Sequence, residues 1–201
     1  MLNLYKPMKF EQEILQKAAD SGSKKVSEAF SKLSGSPAVA EISKVEIVPL
    51  ATAAERIQRP DGQAVVTYGQ LLSGVSGVSL LLLSREDALV LVDLLNQQPV
   101  GTTGILKDID RSAIKETLNI LSNSYMTALS ETAGIDLGLG VPGMITIERM
   151  KDIVDTLVAK KSSDGDSAII FETVLSITEH KVKASLYLLF NEDLVKVMKK
   201  A

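Results

Sequence analysis

Four polar residues, Ser112, Glu116, Asn119 and Asn123, follow one another at i, i+4, i+7 and i+11. Wound as an α-helix at about 100° per residue, this spacing stacks them on a single face. A carboxylate and a carboxamide then stand one turn apart, pointing to solvent. The carboxylate accepts hydrogen bonds and attracts cations, and the carboxamide both donates and accepts. If the chain does chemistry, Glu116 and Asn119 are the residues to carry it. On composition alone such a face reads as solvated surface.

The stretch 110–134 must position them. Its opposite side collects Ile114, Leu118, Leu121, Tyr125, Ala128 and Leu129, the stripe a helix buries against a sheet. A first helix is expected over Lys9 to Leu33, with Leu15, Ala18, Gly22, Val26, Ala29 and Leu33 on one face. Gly35 and Pro37 stop it. Strands are expected at Glu41–Leu50, Gln63–Leu71 and Val78–Leu83, with a helical turn at Ala53–Gln58 and a turn at Arg59–Gly62. Gly74–Gly77 turns between the last two strands. Ser84 caps a helix reaching Asn96, with Asp87 three residues on. Gln97–Asp108 connects it to the central helix. Beyond that helix come an irregular run, Ile135–Gly143, a strand Met144–Met150 and a helical segment Asp152–Val158. A hairpin turn Ser162–Ser167, strands Ala168–Thr178 and Val182–Phe190, and a closing helix Asn191–Lys199 complete the chain.

Composition bounds the answer. A chain of 201 residues with 45% hydrophobic residues suits one domain, 1–201, with a core of Leu, Val, Ile and Ala. A net charge of -3 argues against a general nucleic-acid binder. With no cysteine there is neither a disulfide framework nor a thiolate site. The longest apolar run, around Leu80–Leu83, is too short to span a bilayer, so no membrane partner is expected. The first residues lack a secretory signal, and a cytoplasmic location is expected. Gly138–Gly143 has no lysine or hydroxyl following it as a phosphate loop requires. His180 is the only histidine, and Asp164 and Asp166 lack the other ligands of a calcium loop, so no metal site is expected. Lys196, Lys199 and Lys200 suit a solvated helix terminus.

The chain also repeats itself. A shift of 99 residues lays Leu15 on Ile114, Ala29 on Ala128, Ser31 on Ser130 and Gly35 on Gly134. A shift of 106 lays Ser79 on Ser185, Leu82 on Leu188, Glu86 on Glu192 and Asp87 on Asp193. Halves at about 9–96 and 108–200 would each read helix, strand, hairpin pair, helix. The expected fold is α+β: a two-layer domain with pseudo-two-fold duplication, its mainly antiparallel sheet covered by long helices.

Ser112-Ala-Ile-Lys-Glu116-Thr-Leu-Asn119, with Pro142 after 22 further residues, resembles the motif of the CheC/CheX/FliY phosphatases. That motif is Asp or Ser, three residues, Glu, two residues, Asn, then a spaced proline. Val45-Glu-Ile-Val-Pro-Leu50, Glu86-Asp-Ala-Leu89 and Val92-Asp-Leu-Leu95 are similar to the family as well, and the likeness runs from about Phe10 to Val197. It implies a chemotaxis hydrolase that removes the aspartyl phosphate from a CheY-type response regulator. Glu116 would hold the partner through a lysine, and Asn119 would enter its site and orient the attacking water. Ser112, Asn123 and Pro142 would bind the partner or support the site. The chain would need no cofactor of its own, because Mg²⁺ comes with the regulator. An acyl phosphate is already activated, so orienting water suffices, and a carboxamide does so without adding charge.

The first half departs from the motif. Glu13, Lys17, Asp20 and Ser43 occupy the positions of Ser112, Glu116, Asn119 and the proline. A lysine would reject the partner's lysine, and an aspartate would repel the phosphoryl group. One live site is expected, with the first face inert or used for docking. The resemblance also implies an alternative, a non-catalytic protein that binds the deamidase CheD or serves, as FliM-like relatives do, in the flagellar switch.

Overall fold

Two 26-residue helices, α1 (Lys9–Ser34) and α3 (Asp108–Ala133), pack on each other and on one face of a sheet. Both end at a glycine in the left-handed conformation, Gly35 (φ 68°) and Gly134 (φ 63°). Any side chain there would be strained, so each glycine stops its helix as the sequence predicts. The computed structural model describes residues 9–72, 75–134, 136–158 and 167–198. The expected Ser162–Ser167 turn lies outside this range except for its last residue. Gly74, Asp164, Asp166, Lys199 and Lys200 lie outside it too.

The remaining elements are β1 (Val39–Pro49), β2 (Ala64–Leu72), β3 (Gly77–Ser84), α2 (Arg85–Leu95), β4 (Gly138–Leu139), β5 (Gly143–Ile145), α4 (Met150–Val158), β6 (Ser167–Ile177), β7 (Val182–Asn191) and α5 (Asp193–Met198). A 3-10 turn spans Leu50–Arg56. The strands form one antiparallel sheet in the order β1-β6-β7-β3-β2-β4, with β5 also paired to β2. The fold class is therefore α+β with a mostly antiparallel sheet. Each two-strand unit, β2–β3 and β6–β7, is flanked by a strand from the other half of the sequence, β5 and β1 respectively.

Expected and observed elements differ in one region. The strand expected over Met144–Met150 stops at Ile145, where pairing with Val66–Tyr68 ends. The chain then turns through a 3-10 segment, Ile147–Arg149, into α4. Met150, Val154, Leu157 and Val158 recur at helical spacing and are buried. The irregular run contributes β4, two residues paired with Leu71 and Leu72.

The larger core lies between the helices and the sheet, where Leu15, Ala18, Val26, Phe30, Leu118, Tyr125 and Phe171 are all excluded from solvent. The other face is not bare, as a two-layer expectation would have it. Val66, Val78, Leu80, Tyr187 and Leu189 pack there under α4 and the Leu50–Arg56 turn, adding a partial third layer. Strands β3, β6 and β7 are consequently buried along most of both faces rather than at alternate residues.

Gly22 sets how closely α1 and α3 approach. A Cβ there would lie 2.6 Å from the buried Tyr125 ring. The ring itself is wedged edge-on against Phe171 and cannot retreat cheaply. Gly22→Ala should lower the unfolding free energy by about 2 kcal/mol, read as a shift of the chemical-denaturation midpoint.

Candidate functional site

Helix α3 owes its place to its termini and its buried stripe. The Asp110 carboxylate accepts from the Lys107 N–H at 2.8 Å, tying down the first turn. Asp108 and Asp110 also suit the positive end of the helix dipole. At the other end the Gly134 N–H donates to the Ser130 carbonyl at 2.8 Å. Ile114, Leu118, Leu121, Tyr125, Ala128 and Leu129 are completely buried, the stripe expected from sequence. Ser122 adds a contact that periodicity does not reveal. Its hydroxyl lies 2.7 Å from that of Ser79 on β3, and both are buried. Such a pair resists rotation of the helix about its axis, since turning it would strand two hydroxyls in apolar surroundings.

The polar strip thereby faces outward. Ser112, Glu116 and Asn123 are exposed, and Asn119 is half-buried. Three of the four join in a chain. Asn123 donates its Nδ2 to Asn119 Oδ1 at 2.9 Å, and Asn119 Nδ2 points to Glu116 Oε2 at 3.4 Å. The shorter bond fixes which way the Asn119 carboxamide lies: its amide nitrogen faces Glu116 and its oxygen faces Asn123. One N–H and one oxygen lone pair of Asn119 remain for an incoming group. Among the described residues the Glu116 carboxylate has no cation as partner. Ser112 sits on the same face, one turn before Glu116.

The surroundings are asymmetric. On one flank runs a 430 Å³ groove between α1 and α3, lined by Lys25, Lys32, Leu33, Ile120, Ser124 and Thr127. Lys25 crosses to Glu131 at 2.7 Å, an exposed pair that contributes little. On the other flank β4 and β5 pack against α3 and carry between them the turn that holds Pro142, which is half-buried.

The first-half positions form a different surface. Glu13, Lys17 and Asp20 are exposed on α1, and Asp20 Oδ1 accepts from Gln16 Nε2 at 2.9 Å. Ser43 is exposed in β1, where the register with β6 slips between Ile42 and Lys44; it is the extra residue of a β-bulge. His180 occupies a turn between β6 and β7, its Nε2 3.2 Å from Ser36 Oγ.

No family model matches the chain. Solved structures do. FliY from Thermotoga maritima superposes with a TM-score of 0.73 at 18% identity, covering 98% of this chain and 97% of that one. The FliM middle domain from H. pylori gives 0.67 at 10% identity, over 97% and 100%. The CheX-CheY-BeF3-Mg²⁺ complex from Borrelia burgdorferi gives 0.52 at 19% identity, over 90% and 98%. The fold is that of the CheC/CheX/FliY proteins. It is equally the fold of the FliM middle domain, so the resemblance read from the motif holds at the level of architecture, and chemistry must be argued from α3.

Residues that sequence reasoning passed over prove to be supports. Asp93, on the buried side of α2, holds the connector ahead of α3: its carboxylate accepts from the N–H groups of Gly101, Thr102 and Thr103 at 2.7, 3.0 and 2.9 Å. The only available signal was a carboxylate on an otherwise apolar helix face. No helix among the described residues is long and apolar enough to cross a membrane.

Proposed function

We propose that this protein hydrolyses the aspartyl phosphate of a CheY-type response regulator. The observation that carries the reading is the exposed Glu116–Asn119–Asn123 array on a rigidly seated helix. Glu116 receives a cationic side chain at the rim of the regulator's site. Asn119 enters that site and aligns a water opposite the bond to be broken. The water oxygen bonds to phosphorus as the bond to the aspartyl oxygen breaks. Aspartate leaves as a carboxylate, and phosphate departs with one proton of the water while the other passes to solvent. The Mg²⁺ in this reaction is the regulator's and neutralises charge on the phosphoryl oxygens. What this chain adds is orientation, which suits a convex surface that enters another protein's cleft.

The test is the decay of the phosphorylated regulator in Mg²⁺, with and without the protein. Acceleration at substoichiometric amounts supports the reading. Binding of the regulator, of CheD or of a switch component with no change in decay would favour the alternative, an adaptor, towards which the FliM likeness points.

Asn123 supplies a sharper check on the carboxamide's polarity. Asn123→Asp exchanges the donor facing Asn119 Oδ1 for an acceptor and repels it. Asn123→Ala merely removes the donor. The aspartate variant should lose roughly tenfold in kcat, the alanine variant less, with KM unchanged in both.

A further inference from the structure

Six large apolar side chains are exposed among the described residues, and their placement is uneven. Val100, Ile105 and Ile109 lie on the connector and the first turn of α3, at 50, 73 and 71% exposure. Leu72 and Val141 lie at the end of β2 and on the β4–β5 turn, at 55 and 95%. Only Val39 lies elsewhere, on the edge strand β1. Scattered apolar residues are ordinary on a protein surface. Five on the segments bordering one helix face are a different matter.

Ile109 is the informative one. Seven residues before Glu116, it falls on the same side of α3, about 10 Å along the axis at the usual helical rise. A standard interface covers roughly 800 Å² per partner, a disc about 16 Å in radius. Asn119 lies three residues beyond Glu116, about 15 Å from Ile109 along the axis, so a receiver domain centred on Asn119 reaches Ile109 at the edge of such a disc. The connector is also built to hold its shape: Asp93 clasps Gly101, Thr102 and Thr103, and Arg85 Nη2 donates to the Gly104 carbonyl at 2.9 Å. Apolar groups shown on a fixed loop lose little entropy when covered. The polar strip cannot supply much affinity, because exposed ion pairs and carboxamides gain little over their contacts with water.

We propose that Ile105 and Ile109, with Val141 on the β4–β5 turn, form the apolar anchor for the phosphorylated receiver domain, and that Asn119 on the polar strip provides chemistry rather than affinity. This rests on the hydrolase reading above. It predicts a division of labour: the apolar rim supplies most of the affinity and so dominates KM, Glu116 adds a smaller share, and Asn119 sets kcat.

The experiment titrates the cognate receiver domain, loaded with beryllofluoride and Mg²⁺, against wild type, an Ile105→Ser/Ile109→Ser double variant, Val141→Ser and, as control, Val39→Ser. Turnover of the phosphorylated receiver is followed in parallel. The double variant should bind roughly tenfold more weakly or worse, with KM raised alike and kcat unchanged. Val141→Ser should weaken binding on its own, and Val39→Ser should leave it unaltered. All four side chains are exposed, from 45% at Val39 to 95% at Val141, so thermal melting should match wild type. Unchanged affinity in the double variant and in Val141→Ser overturns the anchor; if wild type still accelerates decay, the hydrolase reading stands. Weakened binding with no acceleration by wild type keeps the anchor and removes the hydrolase. No binding by wild type overturns both.

Discussion

Asn119→Ala should abolish most of the acceleration of phosphoryl decay, on the order of a hundredfold in kcat, while leaving the affinity for a beryllofluoride-loaded receiver nearly unchanged. The expectation follows from where the side chain sits. Asn119 is half-buried in the middle of α3, and its truncation leaves the buried stripe, the Ser79–Ser122 pair and the glycine stop intact. The helix therefore stays in place, and only the carboxamide is lost. Asn119→Asp is the stricter comparison because it preserves shape. A carboxylate there could not donate, and it would oppose the charge of the phosphoryl group. It should be no more active than the alanine variant and should bind the loaded receiver more weakly. Glu116→Ala should behave differently, raising KM more than it lowers kcat, because its carboxylate is assigned to holding the partner. Full activity in Asn119→Ala would remove this helix face from the chemistry.

The elements that were legible in sequence are those whose pattern comes from one dominant constraint. Helix α3 shows a clean 3.6-residue stripe against solvent, and all six apolar positions read from it are buried. Ser84 and Asp87 announced the start of α2, and the Ser84 hydroxyl does accept from the Asp87 N–H at 3.0 Å. Legibility failed where a segment answers to two constraints. Strand β5 hands over to α4 within five residues; Ile145 and Ile147 are two apart, as in a strand, and Ile147 and Met150 three apart, as in a helix. The second core was hidden because Leu80–Leu83 in β3 and Leu186–Phe190 in β7 are continuous apolar runs, which give no sign of what covers their far face. At the site, the spacing of Ser112, Glu116, Asn119 and Asn123 was visible, but the hydrogen-bond order among them was not. It depends on rotamers set by the helix's orientation on the sheet.

Asp93 is the support whose loss should cost most in stability. It is 1% exposed and accepts three backbone N–H groups from the connector. Burial alone would push its carboxyl up. Hydrogen bonds from the Thr103 hydroxyl and from the N–H groups of Gly101, Thr103 and Thr102 outweigh burial and hold it below the ordinary carboxylate value. A carboxyl depressed in the folded state contributes stability above its unfolded pKa, roughly 4, and loses it as pH falls through the folded value. Asp93→Ala should therefore cost about 3 kcal/mol at neutral pH, the difference from wild type narrowing as the medium is acidified. Denaturant titrations of both proteins between neutrality and pH 3 would measure this; a gap independent of pH would show that the carboxylate's charge is not what holds the loop. The same substitution has a functional consequence. Releasing Gly101–Thr103 frees the segment that displays Ile105 and leads into α3, so regulator binding should weaken even where the rest of the protein remains folded. Asp93→Asn separates the effects: the carboxamide keeps an oxygen for one or two of the N–H groups, turns its NH2 against the others, and cannot titrate. Its stability should lie between those of wild type and Asp93→Ala, without the acid-dependent loss that Asp93 contributes.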